Sequence, residues 1–442
     1  MRESKLVTTT DETVEQSTRS RRRRFRREPK FRSERSRAGR MVMTARDLDM
    51  LAAIAKHRFL DTRQVCRLFT CDCPKVEVDG IRGGVAEKIL SKRHLDNCAC
   101  VCGLGRGERA GRGLGKLTHI EGCTGLFKDE KYVAARLTEL FHAGLLDRPV
   151  AQLQLRIADG VADKGSVPMI YEITGQGLSK IGERRDLLGG ARIARIMKGE
   201  KAHRLFLEHT LAVADVDIAV SKSVRGSTTK ERLSDEDLRA HFSEDRKKRA
   251  RPFGFEVRLK RGGTKYDLGV LCDLAFGLGN KHIRRAWHYM VEADLGSMPL
   301  RRPQRFAGST SEVDLSKTSI MRKVIAYAQA FEEKQHQTQL GWKNFRVLIL
   351  TTSLERARNC AVEVNDHFGD GRGGKLFLFG ELAAAKGDLL TYEFIACGDT
   401  KADVERKVNG KTITKKEWVF KTARLYPSEE APLTRGDQTD GR

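Results

Sequence analysis

The chain reads as an α+β protein, with α/β character in its second half. An N-terminal winged helix carrying a cysteine-rich insertion precedes a mixed sheet flanked by helices. Three observations predict this. A helix, helix, insertion, helix, hairpin pattern fills residues 44–180. Strand-like runs and helices then succeed one another over residues 251–400. Three acids, Asp273, Glu292 and Asp294, stand at the ends of apolar runs in that second region.

In chain order, residues 1–43 form an arginine-rich arm. Between Arg19 and Arg40, eleven Arg and one Lys face only Glu28 and Glu34. A segment with so few apolar residues and so much like charge buries no core and repels itself into an extended arm. Arg21, Arg22, Arg23, Arg24, Arg26 and Arg27 are its candidate phosphate contacts.

The winged helix begins at Thr44, a helix cap, and runs through Ala45–His57, where Leu48, Leu51, Ala52 and Ile54 recur at helical spacing. A short second helix covers Arg63–Phe69. The third, Lys128–Ala143, carries Val133, Leu137, Leu140 and Phe141 on one face, and Gly144 takes the left-handed position at its end. Strand-like runs at Leu145–Arg148, Leu153–Ile157 and Met169–Thr174 supply the wing. In such folds the third helix enters the major groove. Its polar side offers Lys128, Lys131 and Arg136, with Tyr132 and Glu139 beside them.

The insertion, residues 70–127, holds six of the ten cysteines: Cys71, Cys73, Cys98, Cys100, Cys102 and Cys123. His94 and His119 lie in the same stretch. Thiolates and imidazoles are the usual ligands of structural zinc, and a glycine-rich loop this size has little else to hold its shape. The C-x-C spacing leaves the ligand set open.

Residues 181–250 read as a helical linker region, with a helix over Ala202–Val220 and a charged stretch over Ser221–Ala250. His209, a lone histidine on that apolar helix, reads as a packed structural residue. In the α/β domain, residues 251–400, strands fall at Phe253–Leu259, Tyr266–Phe276, Ala286–Val291, Phe345–Leu350, Lys375–Phe379 and Leu390–Ile395. Helices fall at Thr318–Glu332 and Leu354–His367. Residues 401–442 are a C-terminal extension.

Composition narrows the partner. The chain has 442 residues, of which 83 are Lys or Arg and 59 are Asp or Glu, for a net charge of +24. That balance suits a polyanion, here double-stranded DNA. No run of about 18 apolar residues exists and no secretory h-region opens the chain, so no membrane partner and a cytoplasmic location are expected.

The acids carry the chemistry. Residues two apart on a strand face the same side, so Glu292 and Asp294 point together. Asp273 can approach from the neighbouring strand, and Lys323 lies one helical turn before Tyr327. Carboxylates in this setting suit magnesium, which binds through one or two of them and keeps water and phosphate oxygens for the rest. The lysine would stabilise charge on phosphate. Asp267 competes with Asp273 for the role of first acid.

As a set, several motifs resemble the replication-relaxation family of bacterial plasmid and mobile-element proteins. They are Asp61-Thr62-Arg63-Gln64-Val65, Ala135-Arg136-Leu137, Ala143–Arg148, Ile170–Thr174 and His209–Val216. Glu292–Pro299, Arg322-Lys323 with Tyr327, Asn344–Leu348 and Thr351-Thr352-Ser353 complete it. The resemblance implies a winged helix followed by a restriction-endonuclease-like domain of the PD-(D/E)xK type. It further implies a role in DNA replication or relaxation, other replication or mobilisation proteins as partners, and nicking as an activity, with a non-enzymatic DNA-binding regulator as the alternative. Catalytic candidates are then Asp273, Glu292, Asp294 and Lys323, with Asp273 and Glu292 as magnesium ligands. The chain departs from the pattern in having Cys272 where the proline stands and Asp294 where the lysine stands.

Overall fold

The computed structural model describes residues 42–69, 130–149, 168–182, 204–302, 313–369 and 372–426, together with Gln152. Within these ranges 226, 228, 250, 251, 262, 283, 284, 399, 409 and 410 are excluded. The arginine arm, Lys128 and the six clustered cysteines lie outside the described residues. The chain divides into two compact units, the first within residues 1–204 and the second mainly residues 205–442.

In the first unit, helix α1 (Ala45–His57) is closed at its start by a reciprocal box. Asp47 accepts from the Thr44 backbone N–H at 2.7 Å and from its hydroxyl at 2.8 Å. Met50, Leu51, Ile54 and Ala55 form its buried stripe. Strand β1 (Phe59–Asp61) leads into α2 (Thr62–Phe69). Helix α3 (Glu130–His142) buries Val133, Leu137, Leu140 and Phe141, as their spacing predicts. Gly144 ends the turn after it with φ +78°, a conformation that glycine adopts without strain. Strands β2 (Leu146–Asp147) and β3 (Ile170–Ile173) follow, and the order β1-β3-β2 is antiparallel throughout. Helix α4 (Gly175–Gly182) comes next.

The second unit opens with α5 (Arg204–Ser223). The expected charged linker after it is built structure: β4 (Lys230–Arg232), α6 (Asp235–Arg239) and α7 (Glu244–Lys248). Ser234 and Ser243 cap the two short helices, and Leu238, Phe242 and Arg246 are buried. The apolar run Tyr266–Phe276 is not one strand. It breaks at Cys272-Asp273 into β6 (Thr264–Leu271), which among the described residues pairs only with β5 (Gly254–Arg261) in a hairpin, and β7 (Leu274–Asn280).

Among the described residues seven strands make the main sheet, a mixed α+β arrangement. Strand β8 (Arg285–Asp294) runs antiparallel to β7 and parallel to β9 (Arg346–Thr351). Helix α8 (Ile320–Glu332) and the short α9 (Gln335–Leu340) lie between β8 and β9 in the chain. Helix α10 (Leu354–Phe368) connects β9 to the parallel β10 (Phe377–Glu381). With β11 (Phe394–Ala396), a hairpin of β12 (Lys401–Val408) and β13 (Lys411–Trp418), and β14 (Lys421–Ala423), the sheet order is β14-β11-β10-β9-β8-β7-β4.

Alternate residues of β9 divide the core. Val347 and Ile349 join α8, α10 and the β5–β6 hairpin on one face, while Leu348 and Leu350 join α5 on the other. No helix among the described residues is long and apolar enough to cross a membrane.

Candidate active site

The site gathers where β8 ends. In-register parallel pairing sets Glu292 opposite Ile349 and Asp294 opposite Thr351, so both acids face α8 and α10 on one side of the sheet. Both are buried, at 5 % and 8 % exposure. Asp273 sits in the break before β7. Its N–H donates to Val291 C=O at 2.9 Å, which continues the β7–β8 ladder by one step and brings Asp273 beside Glu292. Asp267, the competing first acid, is 86 % exposed on the separate hairpin, where it pairs with Arg258.

Glu292 is held from both sides by α8. Ser319 caps that helix, and Lys323 and Tyr327, four residues apart, project from the same face. The Lys323 ammonium meets Oε2 at 2.5 Å, and the Tyr327 hydroxyl donates to Oε1 at 2.6 Å. Burial pushes the Glu292 carboxyl up to about 7; the nearby Lys323 pulls down and the Asp273 carboxylate adds to the rise. Burial works against the Lys323 charge, but Glu292 and Asp273 outweigh it, so its pKa is raised and it stays an ammonium at neutral pH. Burial raises the Cys272 and Tyr327 pKa values well above their usual range, so both remain protonated.

Asp294 turns to α10. Arg356, in the first turn of that helix, pairs with its carboxylate and also donates to Met298 C=O. Gly296 N–H donates to Asp294 Oδ1 at 3.2 Å, and Gly296 itself has φ +84°. Asp294 thus shares a face with Glu292 but is engaged by an arginine that the motif reading did not include.

Two further side chains engage these acids, one of them, His209, expected from sequence to be a packed structural residue. Tyr327 is core by its ring, yet its hydroxyl binds Glu292. His209, on α5, places Nε2 3.2 Å from Asp273 Oδ2. Its pKa is raised, chiefly by that hydrogen bond and against the effect of burial. No periodicity signals this pairing, because His209 and Asp273 are 64 positions apart and meet only through the fold.

In the first unit, Lys131 lies over the exposed ring of Tyr132 at 5.4 Å. Arg136 is differently placed: its Nε and one terminal nitrogen grip the two Asp47 oxygens at 2.7 and 2.6 Å, and its remaining donors meet Glu139 and Val42 C=O. Hydrogen bonding to Asp47 raises the Arg136 pKa still further. Burial opposes ionisation of Asp47, but the bonds from Arg136 and Thr44 hold its pKa below the ordinary value.

Among the described residues, no group of three His, Cys, Asp or Glu side chains is close enough to hold a metal. Asp273 and Glu292 nevertheless form a two-carboxylate pair whose mutual repulsion is one cause of the raised Glu292 pKa. That is the charge distribution a hard divalent cation relieves, and magnesium needs no more than two protein carboxylates. The two residues fit the group; Asp294, neutralised by Arg356, adds no ligand as placed.

The family model described as replication-relaxation matches residues 115–343, just over half of the chain. The chain belongs to the replication-relaxation family. The matched span contains His209, Asp273, Glu292, Asp294, Lys323 and Tyr327. Membership in the replication-relaxation family points to a role in plasmid or mobile-element replication or relaxation, in company with DNA and the replication machinery. No curated protein and no solved structure matches the chain.

Proposed function

We propose that this replication-relaxation protein binds duplex DNA through its first unit and nicks DNA at the Asp273–Glu292–Lys323 cluster of its second. The observation that carries the reading is the convergence of Asp273, Glu292 and Lys323 at the junction of β7, β8 and α8. Glu292 and Lys323 shift each other's pKa, and ionisable groups coupled in this way cluster at functional sites.

Asp273 and Glu292 would hold magnesium, which when bound supplies a Lewis acid for the phosphate and a more acidic water. Lys323 presents positive charge beside the same carboxylates, where it stabilises charge that develops on a phosphate oxygen. Tyr327 and Lys323 keep both Glu292 oxygens oriented and favour the ionised form. Arg356 fixes Asp294, and with it the chain turn from Asp294 to Met298.

For the first unit, the reading is a winged helix whose α3 presents Lys131 and Tyr132 to DNA, assisted by the arginine arm. Zinc bound by the clustered cysteines would give the insertion its shape. Other replication or mobilisation proteins would be its partners.

The test is incubation of the full chain with supercoiled DNA from its own genetic neighbourhood, with magnesium, manganese or chelator. Relaxed or linear product that needs the metal and disappears in Glu292→Gln and Asp273→Asn is the expected result, with duplex binding retained in both variants. The second reading, a non-enzymatic DNA-binding regulator, is favoured by one observation: both Glu292 oxygens already carry hydrogen bonds and Asp294 is neutralised. Tight binding with intact supercoiled DNA under every metal would establish that reading.

A further inference from the structure

We propose that His209 is a positioning residue for Asp273, holding one carboxylate oxygen so that the other is presented to a divalent cation. The inference rests on the metal-site reading above and names a member of the site that lies outside the acid–lysine motif. Helix α5, which carries His209, packs through Val216, Ala219 and Val220 on the sheet face opposite α8. His209 is thus carried by a helix on the other face of the sheet from the one that bears Lys323.

Asp273 Oδ2 accepts from Ala293 N–H at 2.8 Å and lies 3.2 Å from His209 Nε2, which approaches it as an ion-pair partner. Oδ1 accepts no hydrogen bond among the described residues. A carboxylate at the start of a strand otherwise rotates about two side-chain torsions. One backbone amide fixes a point; a second donor from another element removes the remaining rotation. Both the imidazolium and the Nε2–H tautomer of the neutral ring make this bond. Half-exposed His209 (35 % for its side chain) and partly buried Asp273 (18 %) leave the pair reachable from solvent. Partners of this kind, which orient a metal ligand without touching the metal, are worth about 10–100-fold in affinity.

The experiment measures Mn2+ affinity of the full chain by titration, taking as the relevant site the equivalent lost in Asp273→Asn. His209→Gln and His209→Asn are compared, since a glutamine amide nitrogen reaches the position of Nε2 and an asparagine amide falls short of it. Expected are near-native affinity for Gln and an at least ~10-fold loss for Asn and for His209→Ala, with unchanged melting temperatures. Asn and Ala variants that bind as the wild type does would overturn the positioning role and leave the metal site standing. Gln as weak as Ala would also overturn it, because the imidazole would then be ligating the metal directly. A wild-type chain with no such Mn2+ site would overturn both the inference and the metal reading beneath it.

Discussion

Replacing Glu292 by Gln changes how stability depends on pH, and the size of the change follows from the burial of this one carboxyl. Unfolded, it titrates near 4.5; folded, it titrates at about 7. Between these values the native state keeps a proton that the unfolded chain has released, so stability falls as pH rises across that window. At about 1.4 kcal/mol per pKa unit, the loss from pH 5 to pH 8 is roughly 2–3 kcal/mol. Gln has the same shape and no charge to desolvate, so the variant lacks this dependence. The contact with Lys323 is already contained in the folded value of about 7 and adds nothing further to the window. For a unit of this size, a difference of that order corresponds to about 5–10 °C in melting temperature. Calorimetry of wild type and Glu292→Gln, both in chelator at pH 5 and pH 8, gives the double difference, in which titrating groups not coupled to Glu292 drop out. Melting temperatures should diverge in favour of Gln as pH rises. An equal gap at both pH values would refute the claim that Glu292 is buried and ionised against its environment.

Other outcomes follow from neighbouring contacts. Tyr327→Phe removes a donor to the Glu292 carboxylate and should move the midpoint of the same pH dependence above 7, read by the same calorimetry. Arg136→Ala strips the counter-charge from a fully buried Asp47 and should destabilise the first unit by about 3 kcal/mol, measured as a lower first transition. Lys131→Ala, by contrast, should leave that transition in place and weaken duplex binding, with a shallower salt dependence in a gel-shift titration. Cys272, whose thiol is buried and bonded to Phe253 C=O, should resist alkylation at pH 8 until the chain is denatured, as peptide mapping would show.

Much of the second unit was legible because its signals are local. The stripes of α8 and α10, the apolar runs of β8 and β9, and the acids that end β8 all follow from period and composition. Boundaries at Cys272-Asp273 were not legible, since an apolar run reads alike whether it forms one strand or two that join different sheets. Residues 221–250 were misjudged because charge outweighs the few apolar positions. Yet Ser234-x-x-Asp237 is a cap signature there, and Leu238 and Phe242 find a core that only the fold provides. Arg136 illustrates the opposite error. On its own helix it looks like a solvent-facing cation, and its partner Asp47 lies 89 positions earlier in the chain. His209 escaped for the same reason: pairing across long separations leaves no trace in periodicity.

The break at Cys272-Asp273 also has a mechanical side. The β5–β6 hairpin lies against α8, the helix that bears Lys323, and its second strand runs directly into Asp273. Arg258 on that hairpin is 91 % exposed, within easy reach of a polyanion. The hairpin therefore meets the site twice, through the packed helix that carries Lys323 and through the backbone that continues into Asp273. The position of the hairpin and the spacing of Asp273 and Lys323 are thus fixed by one continuous packed unit.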